Sequence, residues 1–123
     1  MGLSAWWRNR GRDSSLYPQD ENGDVLWEMA KSGDDLAKAR KMDFFFIFPE
    51  KGAAQQFCEQ AGRQGYRTSL SYFEAKQRWD AECSMTLVPT HARVSAVENH
   101  LSLAAQALGG QADGWGSFSQ DQD

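Results

Sequence analysis

The sequence predicts an α+β sandwich, in which two helices cover one face of a four-stranded antiparallel sheet and one more helix stands in front. Three observations predict it. Val94, Val97, Leu101, Ala104 and Leu108 are spaced to form one face of an α-helix. Trp79 to Leu87 alternates: Trp79, Ala81, Cys83, Met85 and Leu87 fall on one side, and Asp80, Glu82, Ser84 and Thr86 on the other. That is the pattern of a half-buried strand. From residue 43 onward the elements run strand, helix, strand, strand, helix, strand. This split βαβ order, βαββαβ, is the ferredoxin-like arrangement.

The elements follow in order along the chain. Trp6-Trp7-Arg8-Asn9-Arg10-Gly11-Arg12 is basic and aromatic, and Asp13 to Asp24 turns acidic with Ser, Pro, Asn and Gly. Neither part shows a period of 2 or 3.6, so residues 1–24 are expected to be an irregular arm. Trp6 and Trp7 are expected to dock on the domain's own surface, the other reading being contact with a partner or a membrane surface. Asp24 can cap a helix from Val25, with Val25, Leu26, Met29 and Ala30 on one face. Gly33 suits its end. Leu36 to Lys41 reads as a connector carrying Lys38, Arg40 and Lys41.

Phe44-Phe45-Phe46-Ile47-Phe48 is the strongest strand signal, bounded by Asp43 and Pro49 and apolar at both parities. Ala54, Phe57, Cys58 and Ala61 recur at helical spacing between Glu50 and Gln64, and Gly65 ends that helix. Tyr66 to Phe73 alternates loosely, and Glu74 to Arg78 is a polar connection to the strand at Trp79. Thr90 is the expected N-cap of the helix bearing the Val94–Leu108 stripe, which Gly109-Gly110 stops. Ala112 to Ser119 can form a short last strand. The expected organisation is an arm over 1–24, one domain over 25–119 and a short acidic tail over 120–123.

Composition bounds the function. A chain of 123 residues makes one ordinary domain with one core. A net charge of −4 disfavours a general nucleic-acid binder, which needs clustered Lys and Arg, and suits a protein partner with a basic patch. Neither a secretory signal nor a membrane-spanning run is visible, so the expected compartment is the cytoplasm and no membrane contact is expected. There, Cys58 and Cys83 are expected to be reduced thiols. With only His91 and His100 to add, they fit no zinc pattern. No metal or cofactor is expected.

The chemistry-bearing residues are sparse, and no catalytic residue is expected. His91 and His100 read as surface histidines, and both cysteines lie in apolar sets, where thiols are inert. No phosphate loop, G-x-S-x-G elbow or H-E-x-x-H motif occurs. Acylphosphatases share the element order, but the matching turn here, Pro49-Glu50-Lys51-Gly52, has no Arg. RNA-binding modules of the same order stack bases on strand aromatics. Phe44 to Phe48 could serve, yet Asp80 and Glu82 would lie on the open face. A single-stranded RNA module is therefore the alternative reading, and a small-molecule-binding domain the second. Asp113-Gly114-Trp115-Gly116 stands out, because Trp is enriched at binding hot spots and is equally suited to closing a core.

Gly33-Asp34-Asp35-Leu36, Phe44 to Pro49, Val88-Pro89-Thr90-His91 and Ala112-Asp113-Gly114-Trp115-Gly116 occur in that order. Together they make residues 25 to 118 resemble the regulator of ribonuclease E activity B family. The closing Asp-Gly-Trp-Gly is the most specific element. The resemblance implies a ferredoxin-like sandwich and a non-enzymatic inhibitor that binds ribonuclease E by protein contact. It marks Asp113, Gly114, Trp115 and Gly116 as signature positions of a partner-binding surface. The enterobacterial type has an acidic N-terminal helix and a long acidic C-terminal tail, whereas this chain opens with Trp6-Trp7-Arg8 and ends at Asp123.

Overall fold

The computed structural model describes residues 11–118 and 120. Trp6, Trp7 and the acidic end 121–123 lie outside the described residues. Three α-helices, α1 (Glu21–Lys31), α2 (Lys51–Arg63) and α3 (His91–Ala107), combine with four strands. The strands are β1 (Arg40–Phe48), β2 (Arg67–Phe73), β3 (Arg78–Leu87) and β4 (Gln111–Gly116). They form one sheet in the order β2-β3-β1-β4, with every neighbouring pair antiparallel.

The register sets the core. Phe44 pairs with Cys83 and Phe46 with Ala81, so these side chains share one face. Met42, Phe44, Phe46 and Phe48 are all buried there with Ala54, Phe57 and Ala61 of α2 and Val94, Leu101 and Ala105 of α3. Phe57 lies 5.0 Å from Phe46 and 5.2 Å from Phe48, centroid to centroid, within the range of favourable aromatic pairs. The two helices therefore take one sheet face, as the alternation in β3 and the stripe in α3 predict. The opposite face keeps Lys41, Asp43, Phe45 and Ile47 at least partly open to solvent.

Three boundaries differ from expectation. The first helix starts at Glu21 and not Val25, because Asp20 caps it by accepting from the Gly23 amide at 2.7 Å. Asp24 instead pairs with Arg12 at 2.8 Å. Val25 is 39% exposed, and Leu26 is the buried apolar residue of this helix. β1 starts at Arg40 and not at Phe44. The supposed connector cation Arg40 is 4% exposed, in a buried pair with Asp34 at 2.9 Å. β4 ends at Gly116, short of Ser119. Residues 11–20, read as irregular, form turns in which the Arg12 guanidinium donates to the carbonyls of Tyr17 and Pro18.

Candidate partner-binding surface around the first helix

The signature Asp113-Gly114-Trp115-Gly116 is built on a bulge. Phe44 faces Trp115 and Phe46 faces Ala112, so Asp113 and Gly114 together oppose the single residue Phe45. Gly114 has φ +102, a conformation that disfavours any side chain. The extra residue returns Trp115 to the helix side of the sheet, where it packs against the core. Its indole N–H donates to Asn22 Oδ1 at 2.9 Å. Asp113 points the other way and meets Arg78 at 3.5 Å across the open face. That exposed pair adds little stability.

Asn22 carries the contact onward. Its amide donates to Ser95 Oγ at 3.1 Å and Glu98 Oε1 at 3.2 Å, both on α3. At the N-terminus of α1, Asp20 Oδ2 lies 2.8 Å from His91 Nε2. The Gly23 amide first, and the His91 ring second, hold the Asp20 carboxyl below its ordinary value. His91 is therefore not a free surface histidine, as the sequence suggested. His100 is exposed and sits 2.8 Å from Gln64 Oε1.

The C-terminal end of α1 is held as firmly. Gly33 turns the chain at φ +96, and Asp34 and Arg40 are then buried together. Arg40 also donates to the carbonyls of Asp35 and Lys38, and Asp34 Oδ1 accepts from the Gln120 amide at 3.0 Å. Burial pushes the Asp34 carboxyl up. The hydrogen bonds from Arg40 and Gln120, with the Arg40 charge, outweigh that and bring it below the ordinary value.

Three of the resembling stretches thus meet at one element. Asp34, His91 and Trp115 lie far apart in sequence, and each fixes α1 or its flanks through a polar bond. Beside α1, Val25, Glu28, Met29 and Ser32 face Trp115, Gly116 and Ser117 across a groove of about 540 Å³. Of the four signature positions, Trp115 and Gly116 line this groove. Asp113 and Gly114 do not. Ser117 Oγ is buried there without a hydrogen-bond partner among the described residues.

The chain's other chemistry is muted. Burial, with the Cys58 thiol and Glu82 nearby, pushes the Cys83 thiol up to about 12, and burial raises Cys58. Among the described residues no His, Cys, Asp and Glu gather as metal ligands. No helix among them is long and apolar enough to cross a membrane. Phe44, Phe46 and Phe48 are all in the core, while Phe45 and Phe73 are exposed on the open face beside Asp80, Glu82 and Asp113.

Sequence reasoning named the Trp115 stretch but missed Asn22 and Asp20, which sat in the supposed arm. The N-cap pattern Asp20-x-x-Gly23 was the available signal, and Asp24 competed with it.

Comparison with known families decides the matter. The sequence model described as regulator of ribonuclease activity B matches residues 19–117. The chain belongs to the regulator of ribonuclease activity B family. The match covers α1 through β4 and includes Asp20, Asn22, Asp34, His91 and Trp115. It also takes in Asp20 and the first turn of α1, upstream of the expected domain start at residue 25. No individual curated protein matches the chain at a significant level. Members of the regulator of ribonuclease activity B family are regulators and not enzymes.

Proposed function

We propose that this chain binds ribonuclease E as a protein partner and restrains its cleavage of RNA, without catalysing a reaction itself. The family match over residues 19–117 carries this reading. The β2-β3-β1-β4 order supports describing the sandwich as ferredoxin-like, with α1 added in front. One domain, reaching upstream of residue 25 to include Arg12, fits the bond that Arg12 makes to Asp24 of α1. The surface proposed for the partner runs along α1 to Trp115 and Gly116, where an apolar groove and a partly buried Trp lie together. Asp113 and Gly114 contribute by setting the bulge that places them.

The compartment that suits this partner is the cytoplasm. The RNA-module reading loses Phe44, Phe46 and Phe48 to the core, and on the open face Phe45 and Phe73 share the surface with Asp80, Glu82 and Asp113. The test is capture from lysate by the tagged full chain at low salt. Ribonuclease E should be retained, and weaker retention by Val25→Asp, at an exposed position in the groove, is the expected second result. Absence of ribonuclease E from the captured fraction overturns the proposal.

A further inference from the structure

On the side of α1 away from β4 lies a second and larger hollow, of about 730 Å³. That is within the roughly 300–1,000 Å³ of ordinary ligand sites. Leu16 and Tyr17 before α1, Leu26 and Ala30 on it, and Leu36 and Pro89 from two later loops form most of its apolar wall. The stretches Gly33–Leu36 and Val88–His91, remote in sequence, face each other across it. Leu26 and Pro89 are buried at its floor, and Leu16 is 59% exposed. It shares only Asp34 with the lining of the groove at Trp115.

Its nearest carboxylates are Asp34 and Asp35 on the wall and Asp13 and Asp20 beside it. Residues 13–35 hold seven carboxylates and one lysine, of which Asp24 and Glu28 line the groove on the other side of α1. Asp34 is neutralised by Arg40, and Asp24 by Arg12. Asp13 is tied to Ser15 on the wall, Asp20 to His91 on the wall, and Asp35 lines the hollow itself. Hydrogen bonds from the Ser15 hydroxyl and amide hold the Asp13 carboxyl below its ordinary value. A shell of this sign repels phosphate backbones and anionic lipid surfaces, and attracts lysine and arginine.

We infer that this hollow seats a basic peptide segment of the protein partner. One bulky apolar side chain enters between Tyr17, Leu26, Leu36 and Pro89, and adjoining lysines or arginines meet Asp13, Asp20 and Asp35. A buried anchor ringed by rim charges is the arrangement that concentrates binding energy at interfaces. The inference rests on the protein-binding reading above and names where, and by what chemistry, the partner is held.

The experiment is fluorescence anisotropy of a labelled peptide, one tryptophan flanked by arginines, with the full chain at low salt. Saturable binding is expected, weakening as salt rises. Ala92→Trp fills the mouth from an exposed position in the first turn of α3, and Leu16→Asp makes the exposed rim polar. Each should weaken binding about tenfold, as should replacing the peptide's tryptophan by alanine. Thermal melts confirm that both variants fold.

Undiminished binding to both variants, or to the alanine peptide, overturns the inference. So does binding that appears only after residues 1–10 are deleted, because the chain's own Trp6-Trp7-Arg8 would then be the occupant. Ribonuclease E captured equally by wild type and Ala92→Trp removes this inference and leaves the regulatory reading. Peptide binding that Ala92→Trp blocks, without ribonuclease E capture, does the reverse.

Discussion

Two residues decide how the signature works. Trp115 is half-buried against the core, and its N–H is spent on Asn22. Trp115→Phe should cost about 1 kcal/mol through the lost hydrogen bond, and Trp115→Ala about 3 kcal/mol through lost packing as well. Urea unfolding measures both. An alanine variant as stable as wild type would show that Trp115 does not close the core. Asp34 and Arg40 form the other decisive pair, with side chains 3% and 1% exposed. Removing either alone leaves a buried charge, so Asp34→Ala or Arg40→Ala should cost about 3–5 kcal/mol. The double apolar replacement should cost less than the sum of the two, which a double-mutant cycle reads directly. Neither the burial of Arg40 nor its partner was legible in the sequence. Lys38, Arg40 and Lys41 look like one solvated basic cluster, and only the β1 register turns Arg40 inward.

At the scale of elements, regular periodicity was readable and irregular geometry was not. α3 matches its stripe: Val94, Leu101 and Ala105 are buried, with Val97, Ala104 and Leu108 packed beside them. Leu101→Asp places a charge at 1% exposure and should abolish cooperative melting by circular dichroism. Wild-type melting would show the helix turned to another phase. The turn after α3 is equally constrained, because a Cβ at Gly110 would run into the ring of Phe48. Gly110→Ala should cost about 1–3 kcal/mol by denaturant unfolding, and an unchanged midpoint would contradict that packing. The β4 bulge escaped notice because glycines in a short strand read as weak propensity, when Gly114 in fact fills a left-handed position. The start of α1 was misplaced because Asp20 and Asp24 are both good caps, and the Asn22-Gly23 pair imitates a turn. Most of α1's tethers therefore became visible only in the structure.

Across the whole molecule, charge is divided unevenly, and this shapes stability. Asp13, Asp20 and Asp34 are held below the ordinary aspartate value. A carboxyl with a lowered folded-state pKa stabilises the fold fully above its unfolded value, near about 4. It loses that contribution as pH falls through the folded value. Melting temperature should hit a plateau near neutral pH and fall below about pH 4, and a shallower fall in Asp34→Asn would assign part of it to the buried pair. Order at this scale was the most legible of all, since a succession of strands and helices with distinct periods leaves few topologies open. The surface proposed for the partner was less so, because it joins residues from α1, two loops and β4 that no local pattern links. The regulatory reading meets its decisive test in RNA cleavage by purified ribonuclease E, titrated with the full chain at low salt. It predicts a saturable loss of cleavage rate and no cleavage by the chain alone. An unchanged rate at saturating protein would contradict it.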